Sequence, residues 1–393
     1  MTAKYDFNRL LNGSPDEKDK PFKANLKIEE HREAHLRKLL KEVTTEIKVE
    51  FSSIRDYITD SEFNELNSTQ KSVLLSLKPR FRTQGSFTYK TANEPAHKPP
   101  QQVDIDVGMY LPMNVVVKDS SLSHTLMFHI IDKVLSRVAS RRKSWKFVGS
   151  KATCGRVETD KHAHIDVVAY AIPTEKFSII VENFEEKRAM YASVDSKDDF
   201  IELDPTEVNV AHRTNGWMIS DPKEVSDWFN NEAKQFQYLR NVCRYLKAWR
   251  DFQWPNGEGP SSIALMVIAS KIFNTSLSFN SDSEALISVA KQLPAILDNE
   301  VRLPVSPEGV VWPRTNDNRE DIIKAALELS ASLQHCQLLA GTKEEVVYHL
   351  RGVLGERIPN RPDWVKAITA PPSKKKAPAI ILPQEHSKNT IAG

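Results

Sequence analysis

Ten residues from Val103 to Pro112, VDIDVGMYLP, limit the fold of this chain more than any other stretch. Their apolar and acidic side chains alternate at the two-residue period of a β-strand. Asp104 and Asp106 therefore project to one side, while Val103, Ile105 and Val107 face the other and can be buried. The two Cα atoms of such an Asp-x-Asp pair stand roughly 6.5–7 Å apart. Paired carboxylates on one sheet edge are hard oxygen ligands suited to Mg²⁺, an ion that takes one or two carboxylates and fills its shell with waters and substrate phosphates.

A Gly-Ser turn precedes the strand. At Gln84-Gly85-Ser86 the glycine lets the backbone approach a phosphate closely, and the Ser86 hydroxyl and adjacent N–H groups can donate to it. A third acid follows in HAHIDVVAYAIP, where Ile165 and Val167 alternate with His164, Asp166 and Val168. Three carboxylates meeting on adjacent strands repel one another unless a divalent cation neutralises them. Asp104, Asp106 and Asp166 are thus the candidate catalytic and metal-binding residues, expected to hold two Mg²⁺ ions, with Mn²⁺ as the alternative.

The order QGSFTYKT, VDIDVGMYLP, TCGR (Thr153 to Arg156), HIDV (His164 to Val167) and AIP resembles the cGAS/DncV-like nucleotidyltransferases. Within them it is most similar to the DncV-type cyclic GMP-AMP synthases of bacterial anti-phage (CBASS) operons. The resemblance continues through SDPKEVSDWFN (Ser220 to Asn230), NVCRYLKAWRDFQW (Asn241 to Trp254) and GPSSIALM (Gly259 to Met266), covering about residues 78 to 270. It implies an α+β fold: a polymerase-beta-like palm sheet with flanking helices, a helical C-terminal lobe, and an active site in the cleft between them. It also implies an enzyme joining ATP and GTP into 3′,3′-cyclic GMP-AMP with release of pyrophosphate, a second messenger in antiviral defence. By the same resemblance Lys247 matches a phosphate-binding lysine, Ser220 and Ser262 contact the donor nucleotide, and Arg156 contacts the guanine-bearing one. Tyr89 matches an aromatic beside the bound nucleotide. In many relatives the final glycine, here Gly393, is joined to a target by an E1/E2-like enzyme.

The chain's 393 residues suffice for two packed lobes. With 54 basic against 52 acidic side chains there is no global excess that would announce a duplex-binding protein, so no stable nucleic-acid duplex is expected as partner. Cys154, Cys243 and Cys336 are widely spaced with no metal-binding pattern, which points to reduced, buried thiols and a cytoplasmic location. No apolar run approaches a membrane span, and the first residues lack the order of a secretion signal.

Apolar spacing predicts helices over 26–58 and 61–77, the second capped by Asp60 or Ser61, and over 122–138, with strands at 145–149 and 153–158 before that of Asp166. The segment 221–254 turns helical after Ser220-Asp221-Pro222 and carries a basic stripe of Arg240, Arg244 and Lys247. Further helices are expected at 263–273, 319–333, 342–354 and 362–370. The division is a core over 1–215, a helical lobe over 216–370 and a flexible proline- and lysine-rich tail over 371–393. Three other readings fit parts of the pattern. They are a template-free nucleotidyltransferase making linear or other cyclic products, a tail-conjugated signalling adaptor, and an Asp-x-Asp glycosyltransferase that would leave the Gly-Ser turn without a role.

Overall fold

The computed structural model describes residues 4–113, 124–149, 151–160, 163–190, 203–275, 278–314 and 318–368. The chain opens with β1 (Tyr5–Asp6), α1 (Asn8–Asn12) and α2 (Phe22–Asn25), then the long α3 (Glu30–Phe51). Leu36, Leu39, Val43, Ile47 and Phe51 form the buried stripe of α3. Helical spacing continues to Ile58, but the backbone past Phe51 tightens into a 3₁₀ turn at Ile54–Tyr57. The single helix expected over 61–77 is two, α4 (Asp60–Glu65) and α5 (Ser68–Leu75). Each is opened by a reciprocal capping box, Thr59 with Glu62 and Asn67 with Gln70. Thr59 therefore caps where Asp60 or Ser61 was expected, and Asn67 restarts the helix midway by offering its side chain to a free N–H.

Next come β2 (Arg80–Gln84), the single turn α6 (Ser86–Tyr89), β3 (Val103–Pro112), α7 (His124–Ser140), β4 (Lys146–Val148), β5 (Cys154–Asp160) and β6 (Ala163–Ile172). They are followed by α8 (Thr174–Met190), β7 (Asn209–His212) and β8 (Gly216–Ile219). The strands make one mixed sheet in the order β2-β3-β6-β5-β4, with β7 on the far end of β6 and β8 on β7. Among the described residues of this sheet only β3 and β6 run parallel, and the other pairings are antiparallel. The aliphatic face of β3 and β6, including Val103, Ile105, Val107, Ile165 and Val167, packs with α3 and with Ile131, Val134, Leu135 and Val138 of α7. That burial, at about 1.5–3 kcal/mol per large aliphatic, fixes which face of the sheet is left for the acidic side chains.

The second lobe holds α9 (Pro222–Gln235), α10 (Leu239–Gln253), α11 (Ser262–Thr275), α12 (Asp282–Leu297), the hairpin β9 (Val301–Leu303) and β10 (Ser306–Trp312), α13 (Arg319–Leu338) and α14 (Lys343–Leu354). Asp221 caps α9, with Pro222 at its first position. Where a helix over 362–370 was expected, the chain makes a short 3₁₀ turn, Pro362–Trp364, and then β11 (Lys366–Ala367), drawn into strand form by pairing with β1. This lobe's core also takes in Phe7, Leu10, Leu11, Phe22 and Leu26, so the first residues of the chain pack with elements more than two hundred positions later. All three cysteines are free and buried. Among the described residues no helix is long and apolar enough to cross a membrane. Gly393 and the rest of the tail lie outside the described residues.

Candidate active site

The acidic face of β3 and β6 forms the floor of a cleft of about 880 Å³ between the sheet and the helical lobe. The parallel register sets Asp104 beside His164 and Asp106 beside Asp166, and the antiparallel register of β2 sets Gln84 beside Asp106. Register partners project to the same side, so all three aspartates share one face, with Asp166 on the side of the other two. Donor atoms of Asp104, His164 and Asp166 lie within 4.8 Å of one another.

The turn before the floor is tied to it sterically. Gly85 has φ +69°, and a Cβ there would stand 1.9 Å from Oδ2 of Asp106, so only glycine lets the turn close over that carboxylate. Ser86 opens the single turn α6, which ends at Lys90 in the left-handed region. Gln84 donates from Nε2 to the Tyr170 hydroxyl at 3.3 Å.

Burial pushes the Asp106 carboxyl well above the usual carboxylate range, and the negative charges of Asp104 and Asp166 add to it. Burial acts on Asp104 in the same direction, but His164, Arg156 and Lys247 outweigh it and hold that carboxyl below its ordinary value. Nε2 of His164 stands 2.9 Å from Oδ1 of Asp104 without hydrogen-bond alignment, while its Nδ1 lies 2.9 Å from Oε1 of Gln102. Among the described residues, Oδ1 of Asp104 is buried without an aligned hydrogen-bond donor. A hard divalent cation fits this donor set: it answers the orphaned oxygen and relieves the repulsion that Asp106 feels.

Asp166 differs from the other two. Arg156, its cross-strand partner on β5, donates from Nε at 2.6 Å and from Nη2 at 2.7 Å, one bond to each carboxylate oxygen. Arg156 lines the cleft, and its guanidinium is committed to this carboxylate.

The basic stripe on α10 is not a solvated face. Arg240 donates to the Tyr89 carbonyl and to Asn230, and Arg244 donates to Oδ1 of Asn93 and to the Lys23 carbonyl. Lys247, only 6 % exposed, donates from Nζ to the Thr91 carbonyl at 2.7 Å. Burial, reinforced by nearby Arg250, lowers its pKa from 10.5 to about 8. The three cations thus fasten α10 to the end of α6 and the loop after it, with Lys247 at the cleft wall. Tyr89 lines the cleft but is 7 % exposed, its ring edge-on to Phe229 at 6.0 Å.

Ser220 is an exposed lining residue just before the α9 cap. Ser262 accepts from Nη1 of Arg250 at 2.9 Å, while Ser261 takes the capping position on α11 by accepting from the Ala264 N–H at 3.1 Å. Gln84, Gly85, Ser86, Tyr89, Asp104, Asp106, Arg156, Ser220, Lys247 and Ser262 all line this one cleft. Asp166, 7 % exposed and held through both carboxylate oxygens by Arg156, is not among the residues that line it. Sequence reading missed His164 and Arg250 as members of the site. Both had a signal: His164 shares the strand face of Asp166, and Arg250 lies one helical turn beyond Lys247.

Two family models match the chain: "Cyclic GMP-AMP synthase DncV-like, nucleotidyltransferase domain" over residues 79–170, and "Cyclic GMP-AMP synthase, C-terminal domain" over 237–367. A cyclic GMP-AMP synthase of Vibrio cholerae serotype O1 is 33% identical over 88% of this chain and 84% of its own length. One of Escherichia coli strain TW11681 is 32% identical over 84% of this chain and 79% of its own. Among solved structures, Vibrio cholerae DncV in complex with the linear intermediate 5′ pppA(3′,5′)pG superposes with TM-score 0.78 at 28% identity, covering 94% of this chain and all of that one. A mutant of the same protein in complex with ATP and GTP gives TM-score 0.78 at 27% identity, covering 93% of this chain and all of that one.

Proposed function

Since the chain belongs to the DncV-like cyclic GMP-AMP synthase family, we propose that it joins ATP and GTP into 3′,3′-cyclic GMP-AMP, releasing pyrophosphate at each of two steps. The observation that carries this reading is the register of β3 against β6, which sets three aspartates on one sheet face, two of them lining a cleft walled by a buried lysine.

Asp104 and Asp106, with Asp166 completing the set, are the residues that would hold two Mg²⁺ ions, whose bound chemistry is Lewis acidity toward the α-phosphate and the attacking hydroxyl. The rest falls to the protein. The Gly85 turn brings backbone N–H groups and the Ser86 hydroxyl against the triphosphate, and Gln84 is positioned at the same edge. Lys247 exchanges the Thr91 carbonyl for a phosphate oxygen and regains full charge as it does so. Ser220 and Ser262 face the donor nucleotide from the helical lobe. Arg156 turns from Asp166 toward the guanine of the second nucleotide, and the freed Asp166 receives the proton of the attacking 3′-hydroxyl. A bond forms from that oxygen to the α-phosphorus, and the bond to pyrophosphate breaks. The linear dinucleotide then turns over in the same cleft and repeats the step to close the ring.

Incubation with α-labelled ATP, GTP and Mg²⁺ followed by phosphatase tests the proposal. A label that resists phosphatase and has the mass of cyclic GMP-AMP is expected. Label recovered only in phosphatase-sensitive linear products, or on a separate acceptor, would overturn it.

A further inference from the structure

A second group of metal-ligating side chains lies in the helical lobe, away from the cleft, where the last turn of α13 meets the first turns of α14. His335 comes from α13, and Glu345 and His349 come from successive turns of α14. Their donor atoms lie within 4.8 Å of one another. Oε1 of Glu345 is 2.6 Å from Nε2 of His335 but 3.9 Å from Nε2 of His349, the second distance being too long for a hydrogen bond. The two imidazoles are tilted by 49° with ring centroids 4.3 Å apart, and each brings a nitrogen within 4.8 Å of the other's and of the carboxylate. All three side chains are about one-third exposed, which leaves the space between them open to solvent.

The geometry points to a zinc site formed by His335, Glu345 and His349. Zn²⁺ binds imidazole nitrogen and carboxylate oxygen at about 2.0–2.2 Å, so two ligands of one ion lie at most roughly 4.2 Å apart. The 3.9 Å gap to His349 falls within that limit, and closing an ion between His335 and Glu345 asks that pair to open by roughly an ångström. Two imidazoles and one carboxylate select a borderline ion such as Zn²⁺ over Mg²⁺, which sets this site apart from the all-oxygen floor of the cleft. The Gly341 N–H, donating to Oε2 of Glu345 at 2.7 Å, fixes the carboxylate's orientation and, with His335, holds its pKa below the ordinary value. The same corner anchors the start of the chain. Lys4 N donates to the Gln337 carbonyl at 2.8 Å, and the Tyr5 hydroxyl donates to the Gly341 carbonyl at 3.1 Å. Zinc there clasps the α13–α14 corner that β1 is tied to.

Titration of the full chain with ZnCl₂ alone, by equilibrium dialysis and by thermal shift, tests this. The Asp104→Asn/Asp106→Asn variant, with competing donors in the cleft removed, should retain one equivalent of bound Zn²⁺ and a raised melting temperature. His335→Ala and His349→Gln should bind that equivalent at least tenfold more weakly, yet melt like the parent without metal. In the parent, Co²⁺ should give the intense visible absorption of a tetrahedral site. Equal zinc affinity in the parent and both histidine variants would overturn the assignment, as would the absence of any bound equivalent once the cleft aspartates are removed.

Discussion

Lys247 shows at the scale of one residue how burial prepares a site for charge. In the free protein its pKa stands at about 8 because burial, and then Arg250, disfavour the ammonium. A triphosphate at the same spot restores its charge and raises that value again. Between the two values, binding takes up a proton, so triphosphate affinity falls as pH rises above about 8, by up to roughly tenfold per unit. Measuring ATP binding without divalent metal across that range checks the sign: the parent loses affinity, and Lys247→Met gives weaker binding without the slope. A flat profile in the parent would refute the role. The Asp-x-Asp alternation, the glycine turn and the third aspartate were legible in the sequence because each follows from local geometry. The grip of Arg156 on Asp166 was not, since nothing in TCGR says what stands across the strand. The same holds for Lys247, whose carbonyl partner lies 156 residues away.

Between elements, the polar seam of α3 with α7 is as informative as the apolar one. Glu50, 3 % exposed, accepts from the Tyr57 hydroxyl and from Arg141, and Arg137 lies 3.3 Å away while also donating to Tyr57 at 3.2 Å. Replacing Glu50 with alanine removes the acceptor that Tyr57 and Arg141 share, at a cost of about 1.5–3 kcal/mol. Denaturant unfolding should register that loss in the midpoint with little change in slope; a shift equivalent to less than about 0.5 kcal/mol would contradict it. Helix positions were readable from 3.6-residue spacing, whereas several boundaries were not. Asn67 and Thr59 decide them through side-chain caps, and β11 exists only because β1 lies beside it. No local pattern carries that kind of pairing.

Across the whole molecule, the two lobes are not consecutive halves of the chain. Phe7, Leu10, Leu11, Phe22 and Leu26 are buried in the helical lobe, after which the chain leaves to build the sheet and returns at α9. At about 1.5–3 kcal/mol each, these five side chains contribute about as much as the net stability of a typical domain. Deleting residues 1–26 should therefore unfold the helical lobe rather than trim an end. Loss of soluble yield, or a melting temperature lower by more than about 10 °C, is the expected result. A truncated chain that melts like the parent would show the packing to be dispensable. The hydroxyl of Tyr245 reaches the Leu11 carbonyl across 234 positions, and that distance bears on synthesis as well as stability. Phe7 to Leu26 leave the ribosome long before the helices they pack against, so until those helices have been made they must be shielded by other means.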